Sequence, residues 1–245
     1  AHQAFQGLLM LQHRGQDSAG ILSFDPASNE FHLIKQKGHV KDIFDDEQLN
    51  ELRGTMSIGH TRYSTMGTST HKDIQPFTTN YPMGLGLAHN GNLINCTELK
   101  EELESNYGRH IFSNNDAEIL LNLFSIGLGE YKDNWRNMAG DELFEQVEKA
   151  TRFVLSKAKG AFSVVGMLAG AGMFAFRDQF GIRPLAYGKN EQQGNSFCFA
   201  SETNVFHFLG FEPRGEIGNG ELIFVDKLKK LHAKKILQSI PRPCM

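Results

Sequence analysis

The chain has 245 residues, 40% of them hydrophobic, enough to bury one large core, and a single domain is the simplest count. Its 25 basic and 28 acidic residues leave a formal charge of only −3, too small a surplus to hold a nucleic-acid backbone or an anionic bilayer, so neither is expected as a partner. No run approaches the roughly 20 apolar residues of a membrane span, and Cys96, Cys198 and Cys244 lack C-x-x-C spacing, which suits reduced thiols and a cytoplasmic location.

Ala4, Phe5, Leu8, Leu9 and Leu11 form a nearly helical apolar stripe that stops at Gly15, predicting a helix over 4–13. AGILSF and FHLIKQK read as two strands joined across DPASN, a hairpin. A short polar helix over 45–53 precedes the strand TMSIGHTRY. THKDIQPFTTNYPMG has two prolines and no period, predicting loop, and runs into the strand GLGLAHNGN. Helices follow over 97–106, 116–128 and 141–157, and then five strands, AFSVVGMLA, GMFAFRD, PLAYGK, SFCFASE and ELIFVDK. The AGAG at 169–172 lies between two apolar strands rather than before a helix, so it predicts a hairpin turn and no dinucleotide cofactor. Strands, a block of helices, then strands again, without crossover helices, predict an α+β fold of stacked, mainly antiparallel sheets. The strand ends near residues 60, 90 and 200 are expected to converge on one cleft.

Four segments carry unusual residue choices. In LQHRGQDSAG (11–20), Gly15 can be a helix stop beside solvated charges, or Arg14 and Gly15 can form a tight turn whose backbone approaches a ligand. In GHTRYSTMG (59–67), Arg62 can be a surface residue, or a two-point clamp for a carboxylate with Tyr63 and Thr65 completing the hydrogen bonds. In AHNGN (88–92), Asn90-Gly91 is either a hairpin turn or a side-chain amide beside a glycine N–H, two donors for an oxyanion. In SNNDAEILLNL (113–123), Asp116 either caps its helix or offers its carboxylate to a ligand ammonium. Taken together, a carboxylate clamp, an ammonium acceptor and an oxyanion pair describe a site for an amino-acid amide.

The order LQHRGQDSAG, GHTRYST, QPF, AHNGNL, an acidic residue opening a helix, RDQFGIRPLAYG and ASET resembles the class II glutamine amidotransferases, which are N-terminal-nucleophile hydrolases. It spans about residues 3–237, and LQHRGQD resembles the phosphoribosylpyrophosphate amidotransferase branch. The resemblance implies a four-layer αββα sandwich. It implies that Arg62 binds the α-carboxylate of glutamine, Asp116 its α-ammonium, and Asn90 with Gly91 the oxyanion. It places Gly15 and Arg14 beside the nucleophile and Tyr63 and Thr65 in the glutamine pocket. RDQFGIRPLAYG is expected to be structural. Ammonia from glutamine would pass to a phosphoribosyltransferase domain. Residues 238–245 are expected to start the linker to that domain, which would also be where magnesium binds. No cofactor is expected in this domain. The ten histidines show no ligand spacing, so no metal is expected either. A homo-oligomer is compatible with the sequence.

Family members open with a cysteine whose thiol attacks the carboxamide and whose own amine takes the proton. Ala1 cannot do this, and an internal cysteine lacks the free amine. The expectation is therefore a chain whose upstream residues are missing, or else a relative that lost catalysis; the retention of Arg62, Asn90, Gly91 and Asp116 together favours the first. The chain by itself is expected to be inactive. The alternatives are a non-catalytic glutamine-binding or interaction module, or the same hydrolase serving another acceptor such as a sugar phosphate.

Overall fold

The computed structural model describes residues 1–63, 70–130, 138 and 140–238. Helix α1 (His2–Met10) tightens into a 3-10 turn at Gln12–Arg14 before the hairpin of β1 (Ser18–Asp25) and β2 (Glu30–Lys37). Two short helices, α2 (Val40–Ile43) and α3 (Asp46–Glu51), lead to β3 (Met56–Arg62). The Asp45 carboxylate starts α3 by accepting from the Glu47 and Gln48 N–H groups at 2.8 and 3.1 Å. A 3-10 turn at His71–Asp73 and the short β4 (Phe77–Thr79) precede β5 (Leu85–Leu93).

Three helices follow: α4 (Cys96–Tyr107), α5 (Asp116–Leu128) and α6 (Asp141–Lys157). The start of α5 is set by Asn115, whose side chain accepts from the Ala117 N–H at 3.0 Å, with Asp116 and Glu118 placed to complement the helix dipole. In α6, Leu143, Val147, Ala150 and Val154 recur at helical spacing and are all buried. The chain then runs through β6 (Gly160–Leu168), β7 (Gly172–Arg177), β8 (Ala186–Asn190) and β9 (Ser196–Ala200). Helix α7 (Asn204–Leu209), β10 (Glu212–Glu216), β11 (Glu221–Asp226) and β12 (Leu231–Lys235) complete it.

The strands form three antiparallel sheets. A six-stranded sheet has the order β12-β11-β7-β6-β5-β4, and two three-stranded sheets have the orders β2-β1-β3 and β10-β8-β9. Alternation along the six-stranded sheet decides the layers. Phe162, Val164, Phe174, Phe176, Leu222 and Phe224 pack with α5 and α6, and the Phe124 and Phe174 rings stack at 4.3 Å. Each such buried ring contributes about 1.5–3 kcal/mol of burial free energy. On the other face, Met167 packs on Leu22, Phe24 and Ile58 of one small sheet, while Ala175 and Ile223 pack with Leu185 and Ile217 beside the other. Leu8 of α1 covers the outer face of the first small sheet together with Val40, Ile43 and Leu49. The result is the αββα sandwich expected from the sequence.

Some elements differ from expectation. The first helix ends at Met10, because the chain tightens to a 3-10 turn instead of continuing to residue 13. The supposed loop around QPF contains β4, three residues long and below the reach of a period. Helix α7 is too short to show an apolar stripe, and β10, EPRGE, is exposed throughout, with a register shift between Pro213 and Gly215. The second β layer is split into two sheets, both lying against the six-stranded one.

Candidate functional site

The site is organised by one free edge. β4 pairs only with Leu85–Leu87, so β5 continues to Leu93 with no strand among the described residues on that side, while its other side stays paired to β6 as far as Leu93↔Gly160. Along an antiparallel strand alternate residues direct their N–H groups to the same edge. His89 N–H donates to Gln75 Oε1 at 2.7 Å, and Leu93 N–H donates to Asp116 Oδ2 at 3.0 Å. Gly91, midway between them, directs its N–H out of the same edge and has no partner among the described residues. Gly91 also sits at φ 152°, and a Cβ there would lie 2.2 Å from the Ala161 carbonyl oxygen, so the position demands glycine. Asn90-Gly91 is therefore inside a strand and is not a hairpin turn. Asn90 belongs to the face that Gly86 presses against Leu22, so it is directed toward the sheet containing Arg62.

Arg62 ends β3. Its Nη1 donates to the Asp73 carbonyl oxygen at 2.7 Å, and that same oxygen accepts from Asn115 Nδ2 at 2.7 Å. The Asp73 carboxylate accepts from the Asn114 N–H at 2.9 Å and from the Thr70 N–H and hydroxyl at 2.9 and 2.8 Å. One residue, Asp73, thus ties the arginine to the N-terminus of α5, where Asp116 is the first helical residue. Asp116 is not the cap, since Asn115 is. The Asp116 side chain is 13% exposed, and its Oδ1 lies 3.2 Å from His89 Nε2, close but poorly aligned for a hydrogen bond.

Gly15 is buried against Arg62: a Cβ would come within 2.6 Å of the Arg62 nitrogen, so only glycine lets the two backbones approach. Arg14 Nη1 and His13 Nε2 both reach Glu202 Oε1 at 2.9 Å, which joins the end of β9 to the LQHRGQD turn. Tyr63 is 64% exposed. Thr65 lies outside the described residues. Of the expected residues, the structure connects Arg62 with Asp116 through Asp73, Asp116 with Gly91 along the β5 edge, and Gly15 with Arg62. Arg14 faces Glu202. The sequence reading missed Asp73, Gln75, His89 and Glu202, although QPF, AHNGN and ASET each contained one of the last three.

The electrostatics follow from this packing. Burial works to raise the Asp116 pKa but is outweighed by His89, the Leu93 N–H and its own helix-start N–H, so the carboxyl ionises below its ordinary range. Burial, reinforced by His89 and Arg62, pushes His60 down to about 3, so it stays neutral. Burial and the Asp116 charge push the Cys96 thiol up, and burial pushes Cys198 up to about 12, so neither is prepared as a thiolate. Cys244 lies outside the described residues. Among the described residues no cluster of three or more His, Cys, Asp or Glu is arranged to hold a metal, and no helix is long and apolar enough to cross a membrane.

A second feature lies between the two small sheets. The edges of β3 and β9 that carry no partner strand among the described residues face a cavity of about 460 Å³. Its floor includes Val165 and Met173 of the six-stranded sheet, and its roof includes Leu8 of α1 and Val205 of α7.

Comparison with known proteins places these observations. A family model described as "Glutamine amidotransferase domain" matches residues 60–207, more than half of the chain. The chain is 40% identical over 243 residues to an amidophosphoribosyltransferase of Haemophilus influenzae, covering 98% of this chain and 47% of that protein. It is 39% identical over 246 residues to the amidophosphoribosyltransferase of Escherichia coli, with the same coverage. Among solved structures, the glutamine phosphoribosylpyrophosphate amidotransferase from B. subtilis, complexed with ADP and GMP, superposes with a TM-score of 0.79 at 30% identity. It is covered over 98% of this chain and 47% of its own. The chain spans about half the length of the curated relatives it matches. By fold and by sequence, the chain belongs to the glutamine amidotransferase domain family.

Proposed function

We propose that this chain is the glutamine-hydrolysing half of an amidophosphoribosyltransferase, releasing ammonia from glutamine for transfer to phosphoribosylpyrophosphate in the first step of de novo purine synthesis. The observation that carries the reading is the open edge of β5, where the Gly91 N–H points outward between two captured amides, with Asp116 beside it and Arg62 tied to the same corner. Arg62 takes the α-carboxylate of glutamine, Asp116 its α-ammonium, and Asn90 with the Gly91 N–H the carboxamide oxygen as it becomes an oxyanion.

The nucleophile is the thiol of a terminal cysteine on residues preceding Ala1. Its sulfur attacks the carboxamide carbon while its α-amine takes the thiol proton. The tetrahedral intermediate collapses with the C–N bond breaking, and the leaving nitrogen receives that proton and departs as ammonia. Water then attacks the thioester carbonyl, breaking the C–S bond to give glutamate and the free thiol. Gly15, pressed against Arg62, and Arg14, anchored by Glu202, border the place where that cysteine enters. The apolar slot between β3 and β9 supports the assignment, since it offers two unpaired strand edges and a hydrophobic floor to an upstream strand. The acceptor half and its magnesium belong to the remaining length of the relatives, linked beyond about residue 237.

The test compares this chain with the full-length protein bearing a processed terminal cysteine. The full-length protein is expected to release glutamate, to make phosphoribosylamine, and to be labelled at the terminal cysteine by an electrophilic glutamine analogue. The chain alone is expected to release none. Turnover by the chain alone, or labelling at Cys96, would overturn the mechanism, and a full-length protein that binds glutamine but stays inert would identify a non-catalytic module.

A further inference from the structure

We infer that His89, held by Gln75, is a positioning residue that fixes the Asp116 carboxylate in the orientation that receives the substrate's α-ammonium. The inference rests on the assignment of Asp116 proposed above. It begins with a buried amide whose orientation is determined. Gln75 is 3% exposed, and its Oε1 accepts from the His89 N–H at 2.7 Å, so its Nε2 must be the donor that lies 3.3 Å from both the His89 carbonyl oxygen and His89 Nδ1. Nδ1 then accepts, and the ring carries its hydrogen on Nε2. That nitrogen is buried, and Asp116 Oδ1 lies 3.2 Å from it.

An imidazole N–H enclosed without a partner is costly, and the carboxylate oxygen 3.2 Å away is placed to meet it after a small rotation, so the ring favours one orientation of the carboxylate. The other carboxylate oxygen is held by the Leu93 N–H at 3.0 Å. With His89, the Leu93 N–H and its own helix-start N–H around it, the carboxylate still keeps acceptor capacity free, and an ammonium can bind without first ordering the side chain. Without His89, Asp116 keeps only backbone contacts, from Leu93 and from its own helix-start N–H, and loses the ring that faces Oδ1. The QPF segment, matched in the family pattern but given no role there, acquires one: Gln75 selects the histidine tautomer, and through it the ligand contact.

The experiment uses the full-length protein and two ligands. Glutamine carries the ammonium; glutaric acid monoamide keeps the carboxylate and carboxamide but lacks it, and is read as a competitive inhibitor. His89→Ala is expected to raise the KM for glutamine by about 10- to 100-fold with little change in kcat, and to leave the Ki of the monoamide where it was. His89→Gln, whose amide nitrogen reaches the Nε2 position, is expected to recover most of the loss. A His89→Ala protein that weakens both ligands alike, or neither, would overturn the positioning role. Asp116→Asn reports separately on the assignment underneath: a glutamine KM unchanged by that variant sinks the ammonium site itself, whatever His89 does. Should His89→Ala fail to fold, Gln75→Leu is read in the same two assays, where a loss confined to glutamine supports the inference and an equal or absent loss rejects it.

Discussion

Asn90 and Gly91 are adjacent, yet they supply donors of different kinds, a movable side-chain amide and a fixed backbone N–H. In the full-length protein, Asn90→Ala is expected to lower kcat by about 10²–10³ with the KM for glutamine little changed, because the amide is needed where charge develops in the transition state. Steady-state glutamate release measures both constants. On the assignment proposed for it, Arg62 differs, since a carboxylate carries the same charge in substrate and transition state. Arg62→Lys is expected mainly to raise KM by about 10-fold or more, as loss of a charge-assisted hydrogen bond does, with kcat nearly preserved. At this scale the sequence offers Arg62, Asn90, Gly91 and Asp116 as candidates because each brings a charge or donor at a strand or helix end, and the structure ties Arg62 and Asp116 to one corner through Asp73 and Asn115. Gln75, His89 and Asp73 were not legible as site residues. Their significance lies in which backbone groups they reach across the fold, and a neutral amide or a lone histidine reads the same in a core as in a site.

At the scale of elements, β5 carries the site because β4 stops short of it. Gly91→Ala places a methyl group on the Ala161 carbonyl at a backbone angle that L residues rarely adopt. It is expected to cost about 1–3 kcal/mol, or to shift the strand from its β6 register, and the midpoint of urea unfolding reads the loss. The start of α5 is the second critical element. Asn115 both caps the helix and grips the Asp73 carbonyl, so Asn115→Ala is expected to lower stability by about 1 kcal/mol or more and also to weaken glutamine binding through Arg62. The long helices and the paired strands were legible from period alone. The first helix was overrun by a 3-10 turn, β4 and α7 were too short to have a period, and β10 is polar along its whole length.

The whole molecule should respond to acid in a characteristic way. His60 has a folded value of about 3 against about 6.5 when unfolded, so between those limits the unfolded state binds more protons. The stability associated with the neutral ring is fully present above about pH 6.5 and is lost as pH falls toward 3. Asp116 and Asp226 have depressed values: in each case burial raises the pKa but is outweighed, chiefly by a histidine contact, from His89 and His232 respectively. Their contribution is present above about pH 3.9 and is lost below it, as pH falls through the folded values. The thermal midpoint is therefore expected to fall in two stages on acidification, and His60→Leu is expected to flatten the upper stage and leave the lower one. The αββα layering was legible from the β-α-β order, but the division of the second layer into two small sheets was not, because sheet membership depends on which edges meet in space.

The bare stretch of β5 between Ala88 and Leu93 is, in another light, a hazard: an unpaired strand edge is a template for foreign strands. Here two side chains stand guard over it, Gln75 on the His89 amide and Asp116 on the Leu93 amide, and they leave a gap one residue wide. A carboxamide oxygen can enter that gap; a peptide strand, which needs successive amides, cannot. On the proposed assignment, protection against misassociation and admission of a small ligand fall to the same pair of residues, and the first task alone would be reason to keep both.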